Sequence, residues 1–455
     1  MAGPARWAVL RELVDNAARR SPARLTLLAF GLIVGTFTGL LSLPVATSDG
    51  HQAPFADALF TATSAVCITG LTTVDTGTYW SPTGQAFILI GIWIGGLGVM
   101  TLASVLGMAV SRRIGLTQRL LAASEVGSRG LGEVGSLIRI VVLTSVTIQG
   151  AVALLLIPRL AFDEPFGTAV WHGVFYSVSA FNNAGFVPTA EGLVPYAGDW
   201  WMCVPIMLGV FVGALGFPVI HDLARRGWRP SRLSLHSKLT VVTSLALLGV
   251  TTLLLGAFEW NREQTLGGLG LGNKILSALF ASVMPRSGGF TTTDVGEMHE
   301  ASWLLLDGVM FIGGGSASTA GGIKVTTFAV LLIAILAEAR GDRDMEAFGR
   351  RIPRESLRLA VAVTFVGAVM VLVASLALLE ITGETLDKVL FEVISAFATV
   401  GLSTGLTPDL PDAGKYVLSA LMFAGRTGTI TVAAALALRD RRRVIRYPEE
   451  RPIIG

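Results

Sequence analysis

One apolar segment, LFTATSAVCITGL at residues 59–71, recurs three more times along this 455-residue chain. In each copy a Leu-Phe or Val-Phe pair opens a short run that ends in glycine and a bulky apolar residue. The further copies are VFYSVSAFNNAGF (174–186), LFASVMPRSGGF (279–290) and LFEVISAFATVGL (390–402). The terminal glycines, Gly70, Gly185, Gly289 and Gly401, are separated by 115, 104 and 112 residues. The chain is therefore four variants of one unit, and four quarters around an axis predict a central pore.

The composition is that of an integral membrane protein. The mean hydropathy is +0.65 and 15% of the residues are charged, whereas about 25% are charged in soluble proteins. The 53 glycines favour close packing of membrane helices, because small residues let backbones approach. Apolar stretches of roughly the 20 residues that a span requires number eight, at residues 24–46, 84–109, 137–161, 200–220, 238–258, 302–336, 357–380 and 416–438.

The sequence carries no motif that is typical of an enzyme. It contains no CxxC, HExxH or GxSxG pattern, so we expect neither catalysis nor a cofactor held by this chain. Cys67 and Cys203 lie in apolar segments of different repeats and are expected to be buried small hydrophobic side chains. The net charge of +3 arises from basic loops and does not indicate nucleic acid as a partner.

Lysine and arginine are divided unevenly between the two sides of the predicted spans. Of 35 basic residues, five lie in the loops next to the repeated segments, whereas 27 lie at residues 1–24, 109–140, 221–238, 337–358 and 439–455. The positive-inside rule assigns these 27 to the cytoplasm. Both termini are then cytoplasmic, which agrees with an even number of spans, and the repeated segments lie on the outer side.

Each copy of the repeated segment is too short to cross a membrane. About ten to twelve apolar residues precede each glycine, which fits a re-entrant helix, and irregular backbone at membrane depth must be buried or line a cavity. Each quarter is therefore predicted to contain a span, a short pore helix, an extended loop and a second span. A single glycine of this kind is also explained as a helix C-cap, but four at matched positions favour the pore.

The glycine of each loop tolerates the positive φ that lets successive carbonyl groups point to one side. Four such loops form rings of carbonyl oxygens, which replace the hydration shell of a weakly hydrated monovalent cation. None of the loops contains the Asp or Glu that a divalent cation would require. We therefore predict an ion filter made of Ile68, Thr69, Gly70, Asn183, Ala184, Gly185, Ser287, Gly288, Gly289, Thr399, Val400 and Gly401.

The sixth apolar stretch is interrupted by a run of glycines at residues 313–322, which we call the glycine segment. Each glycine costs a helix about 1 kcal/mol relative to alanine, so the run predicts a break. At mid-membrane a broken helix must face protein or water, which favours a flexible gate; a packing kink is the alternative. The predicted gate residues are Gly313, Gly314, Gly315, Ser316, Ser318, Thr319, Gly321, Gly322, Lys324 and Arg426.

Two basic residues in the predicted membrane segments belong to this gate. An arginine inside an apolar span is costly and usually functional, so Arg426 is expected to face the pore; an ion pair with Glu392 or Asp307 is the alternative. Lys324 is expected either to anchor the cytoplasmic end of the glycine segment or to extend its ammonium group to the membrane surface.

The third repeat departs from the other three. It is one residue shorter between its phenylalanine and its glycine, and it carries Arg286 next to the loop. We expect Arg286 to support the loop by donating to backbone carbonyls, a role that Asn182 and Asn183 are candidates for in the second repeat. The predicted pore is therefore only approximately fourfold.

Taken together, these residues resemble the Ktr/Trk/HKT superfamily of potassium transporters, and specifically its Ktr-type membrane subunit. The resemblance extends from Arg24 to the C-terminus. The motifs that carry it are ITGLTT (68–73), NNAGF (182–186), SGGFTT (287–292), TVGLSTG (399–405), IGGLGVMT (94–101), GALGF (213–217), FIGGGSASTAGGIKVTT (311–327), FAGRTGTIT (423–431) and RYPEERPIIG (446–455).

The resemblance implies several properties that the residues alone do not. It implies potassium as the substrate, because sodium-selective plant relatives have serine at the position of Gly70. It places Arg426 just below the filter, near the glycine segment. It also implies a homodimer, to which the C-terminal IIG contributes, and a cytosolic RCK-type nucleotide-binding regulatory ring. Sodium ion is a candidate activator, and membrane lipid a partner of the apolar surface.

We thus predict an all-α integral membrane protein with four pseudo-symmetric repeats of helix, re-entrant pore loop and helix around a central pore. The competing hypothesis is a secondary transporter with alternating access, which would show two inverted repeats instead of four similar ones. The expected units are a cytoplasmic amphipathic leader (1–23), repeats at 24–112, 113–225, 226–345 and 346–440, and a cytoplasmic tail (441–455).

Overall fold

A computed structural model of the protein describes residues 22–111, 132–227 and 229–438. Cys67 and Cys203 are both buried free thiols, as predicted. The predicted tail and all but the last two residues of the predicted leader lie outside the described residues.

The described residues are mostly helical, and they form fourteen α-helices. In chain order these are α1 (Pro22–Leu41), α2 (Phe55–Cys67), α3 (Pro82–Ser111), α4 (Gly132–Leu160), α5 (Phe166–Asn182), α6 (Trp200–Leu215), α7 (Phe217–Arg226), α8 (Leu235–Glu259), α9 (Leu271–Val283), α10 (Glu300–Phe311), α11 (Val325–Arg340), α12 (Arg354–Thr382), α13 (Leu386–Phe397) and α14 (Asp412–Leu438). Short 3-10 turns lie at Pro44–Ala46, Val194–Tyr196, Pro230–Arg232 and Thr407–Asp409, and a π turn at Glu263–Gly267.

Four of the described helices are long and apolar enough to cross a membrane. They lie at Pro82–Thr101, Ile138–Leu160, Leu235–Glu259 and Arg354–Thr382. A fifth candidate is the pair α6 and α7, which bends by 99° at Gly216, where φ is +91°. The sixth predicted span is divided between α10, with 12 residues, and α11, with 16. The total of eight spans therefore stays a prediction.

The long helices expose apolar side chains to their surroundings. Leu154 of α4 is 73% exposed, Leu253 of α8 is 76% exposed and Leu372 of α12 is 59% exposed. Contiguous apolar surface of this kind is unfavourable in water, whereas it matches the hydrocarbon of a bilayer. Several such helices in one chain make a multi-pass membrane protein.

The four short helices α2, α5, α9 and α13 carry the repeated sequence and lie in the interior. The phenylalanine of each Leu-Phe or Val-Phe pair is at most 1% exposed, at Phe60, Phe175, Phe280 and Phe391. The repeated motif is thus first a packing motif, because the same aromatic side chain anchors each short helix in the core. Each of these helices ends at one of the predicted filter loops.

A short β-hairpin shows that the all-α prediction was wrong in one place. Strands β1 (Met345–Ala347) and β2 (Arg350–Ile352) pair antiparallel. The turn residues Phe348 and Gly349 have φ of +51° and +70°, as in the two-residue turns that suit the twist of a hairpin. These residues were predicted to lie in a basic loop, and a phenylalanine rarely adopts positive φ, so the turn left no signal in the sequence.

Candidate functional site

The four repeated segments end in one shared backbone conformation. Two residues before each terminal glycine, a residue other than glycine adopts positive φ: Ile68 (58°), Asn183 (59°), Ser287 (74°) and Thr399 (48°). The terminal glycines follow with φ of +92° at Gly70, +70° at Gly185, +71° at Gly289 and +95° at Gly401. We name the loops L1 (residues 68–70), L2 (183–185), L3 (287–289) and L4 (399–401). They contain the twelve residues that were predicted to form the filter.

The four loops meet one another in a closed ring. A Cβ atom on any of the four glycines would collide with the neighbouring loop, because that backbone lies within van der Waals distance. The Cα atom of the next glycine would lie 3.1 Å from such a Cβ for Gly70 against Gly185, 2.9 Å for Gly185 against Gly289, 3.4 Å for Gly289 against Gly401 and 3.0 Å for Gly401 against Gly70. The loops therefore contact each other in chain order, with L4 returning to L1.

Three of the loops are held by a buried serine that lies six residues before the loop glycine. Ser64 Oγ accepts a hydrogen bond from the glycine N–H of L1 at 3.0 Å, and Ser395 Oγ accepts the corresponding bond in L4 at 3.1 Å. In the second repeat, Ser179 Oγ donates to the carbonyl of Phe186 at 2.8 Å. These three serines were not predicted from the sequence, although the Ser-Ala pair in three copies of the segment was a visible signal.

L3 is held by other means. Val283 occupies the position of the serine, six residues before Gly289. The third repeat is one residue shorter than the others, and a turn follows α9 in which Gly288 N–H donates to the Met284 carbonyl at 2.7 Å. Arg286 is 2% exposed and donates to the carbonyl of Ser244 at 3.3 Å and to its Oγ at 2.7 Å. Arg286 thus donates to a backbone carbonyl as expected, but that carbonyl belongs to α8 and not to the loop.

The two asparagines of the second repeat have different partners. Asn182 Nδ2 donates to the Val178 carbonyl of its own helix at 2.9 Å. Asn183 Nδ2 reaches α6 and donates to the Val210 carbonyl at 3.1 Å. Of the two, only Asn183 connects its loop to another element through these bonds.

The helix break that the glycine run predicted is present. Helix α10 ends at Phe311 and α11 begins at Val325, and the intervening backbone bonds to the bend between α6 and α7. Gly315 N–H donates to the Ala214 carbonyl at 2.7 Å, and Phe217 N–H donates to the Ala317 carbonyl at 3.2 Å. The glycine segment is thus irregular backbone buried against protein, which is the condition for such backbone at membrane depth.

Each hydroxyl of the glycine segment makes a hydrogen bond. Ser318 Oγ donates to the Gly315 carbonyl at 2.6 Å, which closes a turn within the segment. Ser316 Oγ lies 3.1 Å from Thr326 Oγ1 at the start of α11. Thr319 Oγ1 donates to Asn183 Oδ1 of L2 at 2.6 Å. The backbone contributes a second bond to the loops, from Gly321 N–H to Ser287 Oγ of L3 at 3.2 Å.

The two predicted basic gate residues both contact the glycine segment. Arg426 is 2% exposed and its Nη1 donates to the Thr319 carbonyl. Its Nε and Nη2 have no hydrogen-bond partner among the described residues. Lys324 Nζ donates to the Ala320 carbonyl at 2.7 Å. Of its two predicted roles, this bond fits an anchor of the glycine segment and not an ammonium group that extends to the membrane surface.

An ion pair of Arg426 with Glu392 or Asp307 is not formed within the described chain, so that alternative was wrong. Glu392 instead accepts hydrogen bonds from Ser403 Oγ at 2.6 Å and from Thr407 Oγ1 at 2.6 Å. Its carboxylate thereby fastens the chain that follows L4 and has no free oxygen for the guanidinium group. Sequence spacing cannot reveal this, because the partners of Glu392, which also include Thr404, lie in the loop and 3-10 turn between α13 and α14.

The chemistry that this site offers is that of neutral oxygen atoms. The ring of loops presents backbone carbonyls and hydroxyls, and the described residues contain no cluster of His, Cys, Asp and Glu that could hold a metal ion. Backbone carbonyls coordinate monovalent cations without binding them too tightly to leave.

Comparison with known proteins gives a consistent result. The family model described as TrkH, cation transport protein, matches residues 29–442. The Ktr system potassium uptake protein B of Bacillus subtilis is 36% identical over 445 residues, which cover 98% of this chain and 99% of the relative. The potassium/sodium uptake protein NtpJ of Enterococcus hirae is 36% identical over 450 residues, with coverages of 96% and 98%.

A solved structure shares the fold. The potassium transporter TrkH from Vibrio parahaemolyticus superimposes with a TM-score of 0.70 over 90% of this chain and 84% of its own, at 19% sequence identity. The family match spans most of the chain, and it confirms that the protein is a transporter and not an enzyme. The chain belongs to the TrkH family of cation transport proteins.

Proposed function

We propose that this protein is the ion-translocating subunit of a Ktr-type potassium uptake system, with L1 to L4 as its selectivity filter. The observation that carries the proposal is the closed ring of four glycines with positive φ, each packed against the next loop. A ring of this kind sets carbonyl oxygens around one axis, where they replace the hydration shell of potassium. The relatives named potassium uptake protein B and potassium/sodium uptake protein support the choice of ion.

The driving force for uptake needs no chemistry in the protein. An inward-negative membrane potential supplies about 2.3 kcal/mol per charge for each 100 mV. The filter removes the water of the ion, and the carbonyls release the ion again because they carry no formal charge. Transport is therefore passive through the filter, with its rate set by the gate.

The gate in this proposal is the glycine segment together with Lys324 and Arg426. Arg426 holds the segment through the Thr319 carbonyl, and Lys324 ties it through the Ala320 carbonyl. A positive charge beside the ion path also opposes the passage of a cation. Opening requires these bonds to break, so the closed state is maintained by a small number of hydrogen bonds.

The proposed architecture is eight spans in four pseudo-symmetric repeats, at residues 24–112, 113–225, 226–345 and 346–440. The four similar short helices, each ending in the same loop conformation, support it. The distribution of Lys and Arg supports cytoplasmic termini, and the location in this proposal is the plasma membrane.

The proposed assembly is a homodimer controlled by a cytosolic RCK-type nucleotide-binding ring, with membrane lipid around the apolar helices. Two relatives are named as parts of a Ktr system, which supports a partner subunit. Sodium ion enters the proposal as an activator, because one relative is named for potassium and sodium together.

The test is ion flux into liposomes that contain the purified chain, with potassium and sodium measured separately. Gly401→Ala places a Cβ against the Thr69 carbonyl at a φ of +95° and should degrade potassium selectivity. Gly150→Ala is the matched control, because a Cβ there meets no atom within 4 Å. Flux that is indifferent to the ion and to Gly401 would overturn the filter proposal.

A further inference from the structure

We propose that Asn183 and Ser287 are positioning residues that couple the glycine segment to the filter, so that the position of the gate sets ion selectivity. This inference rests on the proposed function. It concerns the side chains of the first residues of L2 and L3, which join these loops to the gate. Both residues have positive φ and both are fully buried. The two side chains therefore start from the same backbone conformation, and burial restricts their movement.

The hydroxyl of Ser287 joins three elements at once. Ser287 Oγ accepts a hydrogen bond from Gly321 N–H of the glycine segment at 3.2 Å. The same atom donates to the Thr399 carbonyl of L4 at 2.5 Å. A carbonyl of one loop is thereby oriented by a hydroxyl of another loop, and that hydroxyl is oriented by the gate. If the segment moves away, the hydroxyl loses the Gly321 donor and keeps the bond to the Thr399 carbonyl.

The amide of Asn183 makes the second connection. Its Oδ1 accepts from Thr319 Oγ1 at 2.6 Å, and its Nδ2 donates to the Val210 carbonyl of α6 at 3.1 Å. The Thr319 carbonyl in turn accepts from Arg426. A chain of hydrogen bonds therefore runs from the arginine through one gate residue to L2. A buried acceptor that loses its only donor is costly, so withdrawal of Thr319 forces Asn183 to find another partner.

The same position in the other two loops carries no such bond. Ile68 of L1 has no polar side-chain atom, and Thr399 Oγ1 of L4 is buried without a hydrogen-bond partner among the described residues. The side chains that bond the glycine segment thus belong to two adjacent loops, L2 and L3, which share the contact between Gly185 and Gly289. Ser287 extends the coupling to the Thr399 carbonyl of L4.

The experiment measures potassium and sodium flux separately in liposomes that contain the full chain. Thr319→Val keeps the side-chain shape and removes the bond to Asn183. Ser287→Gly removes the hydroxyl and suits a φ of +74°. Each should lower the potassium-to-sodium flux ratio about two- to tenfold, the change that the loss of one hydrogen bond supports. Thr326→Val is the matched control, because Thr326 bonds Ser316 of the same segment and no filter loop.

A double variant separates coupling from general loosening. Asn183→Gly combined with Thr319→Val should lower the flux ratio by less than the product of the two single falls, because the two residues share one bond, although Asn183→Gly also removes the bond to Val210. Unchanged ratios in Thr319→Val and Ser287→Gly, or an equal fall in Thr326→Val, would overturn the coupling. Thermal unfolding of each variant shows whether it is folded. A wild-type chain without potassium selectivity would instead refute the proposed function.

Discussion

The third repeat differs from the other three in what its second apolar stretch packs against. In the first, second and fourth repeats, a glycine of the following helix lies where a Cβ would strike a carbonyl at the end of the short helix. The pairs are Gly95 with Val66, Gly213 with Phe181 and Gly425 with Phe397. Each carbonyl belongs to the residue four positions before the loop glycine. In these three repeats the following helix thus packs directly against the end of the short helix that supports the loop.

In the third repeat, Gly313 occupies the corresponding place after α10, but its neighbour is the carbonyl of Gly321. The chain contacts itself instead of the short helix, because the helix is broken there. The difference bears on the gate proposed for the third of four similar units. The contact between the following helix and the short helix is replaced by a contact within the glycine segment, and the segment is joined to L2 and L3 by the hydrogen bonds of Asn183 and Ser287 instead.

The largest effect is expected when alanine replaces the glycines that differ between these repeats. Gly95→Ala drives a Cβ into the Val66 carbonyl and should destabilise the protein by about 1–3 kcal/mol or more, as overpacking of a filled interior does. Gly313→Ala should leave global stability nearer to that of the wild type and raise potassium flux, because the clash falls within the glycine segment. Thermal unfolding and liposome flux are the measurements.

Gly249→Ala on α8 is the control for these two substitutions, because a Cβ there meets no atom within 4 Å. It should be neutral or slightly stabilising, since alanine favours a helix over glycine by about 1 kcal/mol. An unfolding temperature for Gly313→Ala as low as that of Gly95→Ala would mean that the glycine segment is a rigid structural element.

Deleting residues 313–322 is a coarser form of the same test. If the segment limits flux, the deletion should raise potassium flux in liposomes, because the bonds of Arg426 and Lys324 to it no longer block the path. A folded variant without transport would show that the segment is structural and would contradict the gate. Size-exclusion chromatography of the purified variant distinguishes this from a failure to fold.

The positions of the four loops and of the helix break were predicted from the sequence, because they depend on composition. The backbone angles within the loops were not, because they depend on geometry. Glycines at 70, 185, 289 and 401 marked the loops, and the glycine run marked the break. The positive φ of Ile68 was not predictable, because a β-branched residue disfavours it, yet Ile68 forms the left-handed C-cap of α2. The same holds for Phe348, where the hairpin turn overrides the preference of the residue.

The next expected effect concerns the arginine that replaces the serine support in L3. Arg286 makes two hydrogen bonds to Ser244 from a planar guanidinium group, and lysine cannot reproduce that geometry. Arg286→Lys should therefore cost about 1.5–3 kcal/mol, the range for a hydrogen bond from a charged group, and should lower the potassium-to-sodium flux ratio. An unfolding temperature equal to that of the wild type would show that charge alone, and not the fork of donors, supports L3.

A smaller effect is expected from removing the serine in a repeat that has one. Ser395→Ala leaves the N–H of Gly401 without its acceptor and should cost about 1 kcal/mol, with a modest fall in potassium selectivity. Ser395→Thr keeps the hydroxyl and serves as its control. Equal selectivity in the alanine and threonine variants would mean that neighbouring loops alone hold L4 in place.

The smallest expected effect tests whether L3 could have used the same support. Val283→Ser restores the serine at six residues before the loop glycine, but L3 is one residue shorter and Gly289 N–H already points to the Met284 carbonyl, at 3.4 Å. The new hydroxyl should therefore find no loop partner, and Val283→Ser should be no more stable than Val283→Ala, which removes the same apolar volume. If thermal unfolding shows the serine variant to be more stable by about 1 kcal/mol, the size of one net hydrogen bond, the serine support does not depend on loop length. The shorter loop would then not explain why the third repeat relies on Arg286.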